Sequence, residues 1–188
     1  VWRLDFENRQ KDWRVCAARF PCVCGVYIGE DWTRNTLVLP YVAGEKIENP
    51  TAALATPPMR IGWKWQEYVF DHLIGGPCGV KNDQGAYVRE LVYNGPASMM
   101  WLDLYSGADG LGLYMALDDK DFLLKAVRAE SFGPERPGVG LSFVQYPEPD
   151  ENVWHGKPCV VAPHPGDWHW GADAYRRLLK GEELPNLR

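Results

Sequence analysis

The 188-residue chain lacks the features that mark several common classes of protein. It has no run of about 18 apolar residues, the length that a membrane-spanning helix requires. Its 20 Lys and Arg against 25 Asp and Glu give a formal net charge of −5, so it has no basic stripe for nucleic acid. No basic start precedes an apolar core, so no signal peptide is visible. The first residue is Val, so the compartment is left open.

Motifs for catalysis and metal binding are also absent. No G-x-S-x-G elbow, Walker loop or dinucleotide fingerprint occurs. His164 and His169 lie five residues apart, but no third ligand follows at a known spacing, so we predict neither a metal nor another cofactor. The cysteines are odd in number without a CxxC pair, which favours buried free thiols over a disulfide framework. They are Cys16, Cys22, Cys24, Cys78 and Cys159.

The most informative segment that is present covers residues 95–117 and predicts a β-hairpin. Residues 98–105 alternate so that Trp101 and Asp103 share one face, and the Ser-Gly-Ala-Asp-Gly loop at 106–110 supplies turn residues before 111–117 return. Both faces are mostly apolar. We therefore expect the hairpin to lie within a sheet that is covered on both sides.

Short segments of β character recur along most of the chain, separated by turn residues at close spacing. This pattern is typical of all-β proteins and predicts a two-sheet antiparallel β-sandwich with one C-terminal helix. Pro21 is expected to divide two early strands, and Lys125 and Arg128 are expected to point out of a strand at 122–130. The predicted strands are 1–7, 13–20, 22–28, 36–39, 86–93, 98–105, 111–117, 122–130, 139–146 and 158–162.

Residues 165–181 are the one segment with a clear helical period. Asp167 is a suitable N-cap, and Gly181 suits the position after the last turn. We expect Trp170 to be the more exposed aromatic residue. The predicted apolar face consists of Trp168, Ala172, Tyr175 and Leu179. Two parts follow: a β-sandwich over residues 1–163, and a linking helix over residues 164–188.

Aromatic residues are abundant, with nine Trp and nine Tyr. Most suit a sandwich core, although Trp and Tyr also form stacking platforms for sugars. Residues 44–79 are irregular and rich in Pro and Gly, which indicates either a functional excursion or a loop packed over a sheet edge. Trp63 and Trp65 in this segment, together with Trp154, are candidate carbohydrate-binding residues.

Carboxylates cluster around the ends of the hairpin, but acidic turn residues are far commoner than catalytic pairs. Asp103 is different because it lies in mid-strand between two leucines, where a buried carboxylate needs a partner. A sugar mutarotase would need a histidine and a carboxylate converging on a concave sheet face. His72 or His155, with Glu67 or Asp103, are the residues available for that role.

Three segments in this order resemble a known family: FPCVCGVYIG with LVLPYVAGEKIENP, then SMMWLDLYSGADGLGLYMALDD, then HPGDWHWGADAYRRLL. They resemble the front part of bacterial glycoside-hydrolase-like proteins. In that family a β-supersandwich similar to galactose-mutarotase folds precedes an eight-fold β/α barrel. The family's helix from sandwich to barrel begins with a GDWH-x-A segment. It is matched here by Gly166, Asp167, Trp168, His169 and Ala172.

The resemblance implies that the catalytic carboxylates belong to the barrel. The chain shows no strand–helix alternation and ends at Arg188, so the barrel is expected to lie outside it and no catalytic residue carries over. We therefore expect a non-catalytic sandwich domain of a carbohydrate-active enzyme, packed on the barrel and shaping its cleft. The alternatives are a stand-alone carbohydrate-binding module and a sugar mutarotase or epimerase. The expected partners are a carbohydrate and the barrel, without nucleic acid or membrane.

Overall fold

The computed structural model describes residues 1–56, 79–93, 95–121, 123–148 and 152–181. These residues form a 3₁₀ turn at Trp32–Arg34, a short helix α1 (Pro50–Leu54) and a longer helix α2 (Trp168–Lys180). The strands among them are β1 (Asp5–Glu7), β2 (Ala18–Val26), β3 (Asn35–Leu39), β4 (Glu45–Glu48), β5 (Val80–Lys81), β6 (Tyr87–Val92), β7 (Trp101–Ser106), β8 (Leu111–Leu117), β9 (Lys125–Ser131), β10 (Val139–Gln145), β11 (Val153–His155) and β12 (Cys159–Pro165).

The strands are arranged in two five-stranded sheets and a small ribbon. The first sheet has the order β2–β10–β9–β6–β5, and the second has the order β12–β8–β7–β3–β4. The strands β1 and β11 pair separately as an antiparallel ribbon. Neighbouring strands in both sheets are antiparallel. The predicted all-β, two-sheet antiparallel sandwich with a C-terminal helix is confirmed.

The predicted hairpin is formed by β7 and β8 at the centre of the second sheet. The two strands pair in register from Trp101 opposite Ala116 to Ser106 opposite Leu111. Gly110 adopts a φ of 64°, which glycine reaches without the steric cost of a Cβ atom. Every residue of β7 is buried. The hairpin is therefore covered on both faces, as its sequence predicts.

The main core lies between the two sheets. Because successive side chains of a strand point to opposite faces, alternate residues of each strand enter this core. Leu102 and Leu104 contribute from β7, while Leu141 and Phe143 face them from β10. The odd-numbered residues of β9 and β10 point toward this core. They include Lys125 at the start of β9 and Gln145 at the end of β10.

The helix α2 lies on the outer face of the second sheet and forms a third layer. Asp167 accepts a hydrogen bond from the His169 N–H at 3.0 Å, and Gly181 closes the last turn at a φ of 74°. Both caps are as predicted. The tyrosine hydroxyl of Tyr175 accepts a hydrogen bond from the buried N–H of Met100 at 3.2 Å, which ties the helix to the start of β7.

The buried face of α2 matches the predicted one in part: Tyr175 is buried, and Trp168 and Ala172 are half-buried against the same cluster. Leu179 is 53% exposed, and the residues turned to the sheet are Gly171, Ala174 and Tyr175. Trp170 is half-buried rather than exposed, because its ring packs on the sheet. The helix backbone approaches the sheet closely at Gly171. Because glycine has no side chain, this contact adds nothing to the apolar pattern from which the buried face was predicted.

Two further predictions about elements are wrong. β2 continues through Pro21, which lies where the pairing with β10 shifts register, and such a bulge tolerates a residue without an N–H. The segment 44–79, predicted to be irregular, begins with β4 and α1. β11 was not predicted at all. Residues 57–78 lie outside the described part of the chain.

Candidate functional site

The candidate carbohydrate-binding residues have different outcomes. Trp63 and Trp65 lie outside the described residues, so their role stays a prediction. Trp154 lies in β11, where it is only 7% exposed and packs on Phe6 with ring centroids 5.2 Å apart. It is therefore not an open stacking platform, but it does line a cavity that is described below.

The buried carboxylate of Asp103 has a partner that the sequence did not single out. The strand β12 pairs with β8, which brings His164 opposite Gly112 and diagonally across from Asp103 on the same face of the sheet. His164 Nε2 lies 2.9 Å from Asp103 Oδ2, and neither side chain is exposed to solvent. The two atoms are close enough for an ion pair, although their geometry is not that of a hydrogen bond.

Both ring nitrogens of His164 face acceptors. Nδ1 lies 3.0 Å from the backbone oxygen of Pro165, which can only accept, so the hydrogen-bond partners assign a proton to Nδ1. Burial raises the pKa of the Asp103 carboxyl, and His164 lowers it by less. Burial lowers the pKa of His164, but the contact with Asp103 outweighs it and the net shift is upward. The pair therefore retains one proton to higher pH than an isolated histidine.

Aromatic rings from α2 and the sheet seal the pair. The Trp170 ring stacks on the His164 ring with centroids 4.7 Å apart and planes 8° from parallel. Tyr114 meets Trp170 edge-on at 5.7 Å, and its hydroxyl is buried without a partner among the described residues. Burial raises the pKa of Tyr114 well above its ordinary value. Because no atom of the pair reaches solvent, it cannot contact a substrate in this structure.

Two glycines make this arrangement possible. A Cβ atom at Gly112 would lie 2.3 Å from His164 Nε2, so the imidazole occupies the space that a side chain would fill. A Cβ atom at Gly171 would lie 2.5 Å from Asp103 Oδ2, so the helix backbone approaches the carboxylate directly. The cluster of Asp103, His164, Gly112, Gly171 and Trp170 is called the helix lock below.

Replacing Gly171 by alanine tests the close approach in the helix lock. On an exposed helix this change stabilises by about 1 kcal/mol, but here the new methyl group would meet a buried carboxylate. We expect the free energy of unfolding to fall by about 1–3 kcal/mol in denaturant melts. The exposed Asp173→Ala on the same helix is the control and should change little. A more stable Gly171→Ala protein would contradict the placement of α2.

A second candidate site is an open cavity at one end of the sandwich, called the end cavity below. Its volume is about 490 Å³, within the range of small-molecule sites. It lies where β9 begins and β10 ends, beside the β1–β11 ribbon. Its described lining residues are Cys16, Asp119, Leu123, Leu124, Lys125, Gln145, Tyr146, Pro147, Glu148, Trp154, His155 and Lys157.

Lys125 was expected to point out of its strand, but it is buried in the wall of the end cavity. Lys125 is 2% exposed and forms an ion pair with the fully buried carboxylate of Asp119. Its ammonium group also lies over the Tyr93 ring, 4.4 Å from the centroid. The prediction for Lys125 is wrong because its position on β9 lies on the same inward face as Val127 and Ala129. The acidic turn after β8 supplies the counter-charge that makes burial tolerable.

In the described part of the chain, the other two histidines and three of the cysteines lie at the surface. His155 contacts Asp5 at 3.2 Å and His169 contacts Asp167 at 2.8 Å, with both imidazoles largely exposed. Of the cysteines in the described ranges, Cys159 is buried as predicted. Cys16, Cys22 and Cys24 are exposed free thiols, contrary to prediction, because they lie in or before an outer strand.

Within the part of the chain that the structure describes, no three His, Cys, Asp or Glu side chains converge as a metal site would require. No described helix is long and apolar enough to cross a bilayer. Comparisons with models of protein families, with curated proteins and with solved structures gave no match to this chain.

Proposed function

We propose that the chain is a non-catalytic β-sandwich domain of a carbohydrate-active enzyme, which packs on the catalytic barrel of the same protein. The supporting observation is the helix lock. Asp103 comes from the central segment of the resemblance, while His164 and Gly171 come from the late segment, and all three meet under α2. The residues that carry the resemblance thus have a shared structural task, which is to hold the linking helix on the sandwich.

The geometry also favours a role without catalysis. Glycoside hydrolysis uses two carboxyl groups about 5–10 Å apart on either side of the bond that is cleaved. Asp103 is sealed beneath α2, and Asp119 is buried in its pair with Lys125. Neither can flank a sugar without a rearrangement of the layer that covers it.

The alternative of a stand-alone carbohydrate-binding module is favoured by one observation, the end cavity with Trp154 in its wall. A mutarotase receives less support. His155 contacts Asp5 within the exposed β1–β11 ribbon, and Asp103 is paired with His164 instead. The other residues named for that role, His72 and Glu67, lie outside the described part.

The test compares the 188-residue chain with the product of its coding sequence extended beyond codon 188. We expect the extension to encode alternating strands and helices, and we expect only the extended protein to hydrolyse aryl glycosides. Both proteins are assayed at equal concentration, with circular dichroism confirming that the shorter one is folded. Hydrolysis by the 188-residue chain, or an extension without that alternation, would refute the proposal.

A further inference from the structure

The end cavity contains a buried amide group without a hydrogen-bond acceptor. Gln145 is the last residue of β10 and points inward, where it is 4% exposed. Its Oε1 accepts a hydrogen bond from the Lys157 N–H at 2.8 Å, which fixes the orientation of the amide. Its Nε2 is buried and has no acceptor among the residues that the structure describes. A buried donor without a partner is costly, and a small shift of the side chain toward the cavity would let the amide donate to an acceptor bound there.

Both lysines that line the cavity are paired with carboxylates. Lys125 pairs with Asp119, and Lys157 pairs with Asp121 at 2.5 Å. Each ammonium group thus has its own carboxylate, which leaves no unpaired lysine charge to attract an anion. The wall nevertheless offers both donors and acceptors, a combination that suits hydroxyl groups because a hydroxyl can donate and accept.

The same cavity has apolar and aromatic surface. Trp154 and Tyr146 line it together with Leu123 and Leu124. The Trp154 ring is held in place by Phe6 on the neighbouring strand, so it forms a rigid and largely covered part of the wall. Rigid aromatic surface beside a few directed polar groups is typical of pockets for small polar ligands with an apolar face.

From these observations we propose that the end cavity binds a neutral sugar residue, with the Gln145 amide donating a hydrogen bond to one of its hydroxyl oxygens. The carbohydrate class rests on the proposed function; the requirement for a neutral, hydroxyl-bearing ligand rests on the cavity alone. Lys157 positions the amide through its backbone N–H, and the carbon face of the ring lies on the half-buried Tyr146 side chain.

The experiment is an NMR titration of the ¹⁵N-labelled 188-residue chain near neutral pH. D-Galactose and D-glucose are the neutral probes, and D-glucuronate is the anionic probe. We expect saturable shifts of the Gln145 side-chain amide signals with at least one neutral sugar, with a Kd on the order of 1 mM. The anion should bind more weakly than the neutral sugars.

The variant Gln145→Glu keeps the acceptor for the Lys157 N–H and removes the donor. We expect it to weaken binding about tenfold, since one hydrogen bond between ligand and protein is lost. The matched control is Gln84→Glu, the same change in the exposed turn at the far end of β6, which should bind as the parent does. If Gln145→Glu does not fold, Gln145→Met replaces it, with the fold checked by circular dichroism.

Three results would overturn the proposal. They are the absence of saturable shifts with both neutral sugars, unchanged affinity in the folded Gln145 variant, and tighter binding of glucuronate. The outcome is separable from that of the proposed function. If the extended coding sequence encodes a barrel but the chain binds no sugar, only the sugar site in the end cavity is refuted. If the chain binds a sugar but no barrel is encoded, only the proposed parent enzyme is refuted.

Discussion

Replacing His164 by leucine should destabilise the sandwich by about 3–5 kcal/mol, the range for breaking a buried ion pair by removing one partner. The change leaves the Asp103 carboxylate beneath α2 without a counter-charge and without access to water. The carboxylate must then either remain charged in an apolar layer or take up a proton, and both cost free energy. Denaturant melts at near-neutral pH measure the loss.

Further variants separate the ion pair from simple packing. Asp103→Asn keeps the shape and an acceptor for His164, so it should be milder than His164→Leu. The double variant Asp103→Leu/His164→Leu removes both charges and should recover part of the loss, since apolar replacements of whole buried pairs are often tolerated. The control His155→Leu breaks a similar contact at the surface and should leave stability unchanged. A His164→Leu protein as stable as the parent would refute the helix lock.

Replacing Trp170 by alanine should have the second-largest effect, about 3 kcal/mol. Its ring lies on His164 and meets Tyr114, so truncation removes aromatic contacts and opens the buried pair to water. Trp168→Ala is the matched comparison. The Trp168 ring contacts Lys46, His169 and the cluster beneath the helix, and its truncation should cost less because it does not cover the buried pair.

The order of these two tryptophan effects distinguishes two orientations of α2. The apolar stripe read from sequence places Trp168 in the interface and Trp170 outside it. In the structure Gly171 makes the closest approach and Trp170 covers His164. A larger loss for Trp168→Ala than for Trp170→Ala would contradict the observed orientation and restore the sequence-based one.

Local signals predicted the parts of the fold that depend on neighbouring residues. The turn of the central hairpin, the Asp167 cap and the Gly181 terminus follow from preferences that act over a few positions. The need of Asp103 for a partner was also visible, because a charged residue between two leucines of a strand breaks the expected pattern.

The identity of that partner was not visible, because it depends on long-range pairing. His164 reaches Asp103 only because β12 lies beside β8 and Gly112 leaves room between them. Lys125 was misplaced for a similar reason, since the turn that contains Asp119 supplies its counter-charge. Gln145 carried no sequence signal, as an amide at the end of a strand is ordinary until its surroundings are known.

The helix lock also sets a direction for the pH dependence of stability. The pKa of His164 is raised in the folded state, so the fold keeps a proton that the unfolded chain releases. The stabilisation is therefore complete below the ordinary histidine pKa of about 6.5 and is lost as the pH rises through the raised value. The steepest loss is about 1.4 kcal/mol per pH unit for one proton.

The central claim is that the Asp103–His164 pair is a structural contact sealed from solvent. The most direct test is an NMR titration of the His164 imidazole in the intact chain. We expect both ring nitrogens to carry slowly exchanging protons at neutral pH, with a titration midpoint above the ordinary histidine value. His164→Leu identifies the signals by their loss. A singly protonated, rapidly exchanging imidazole at neutral pH, with a midpoint at or below the ordinary value, would contradict the lock.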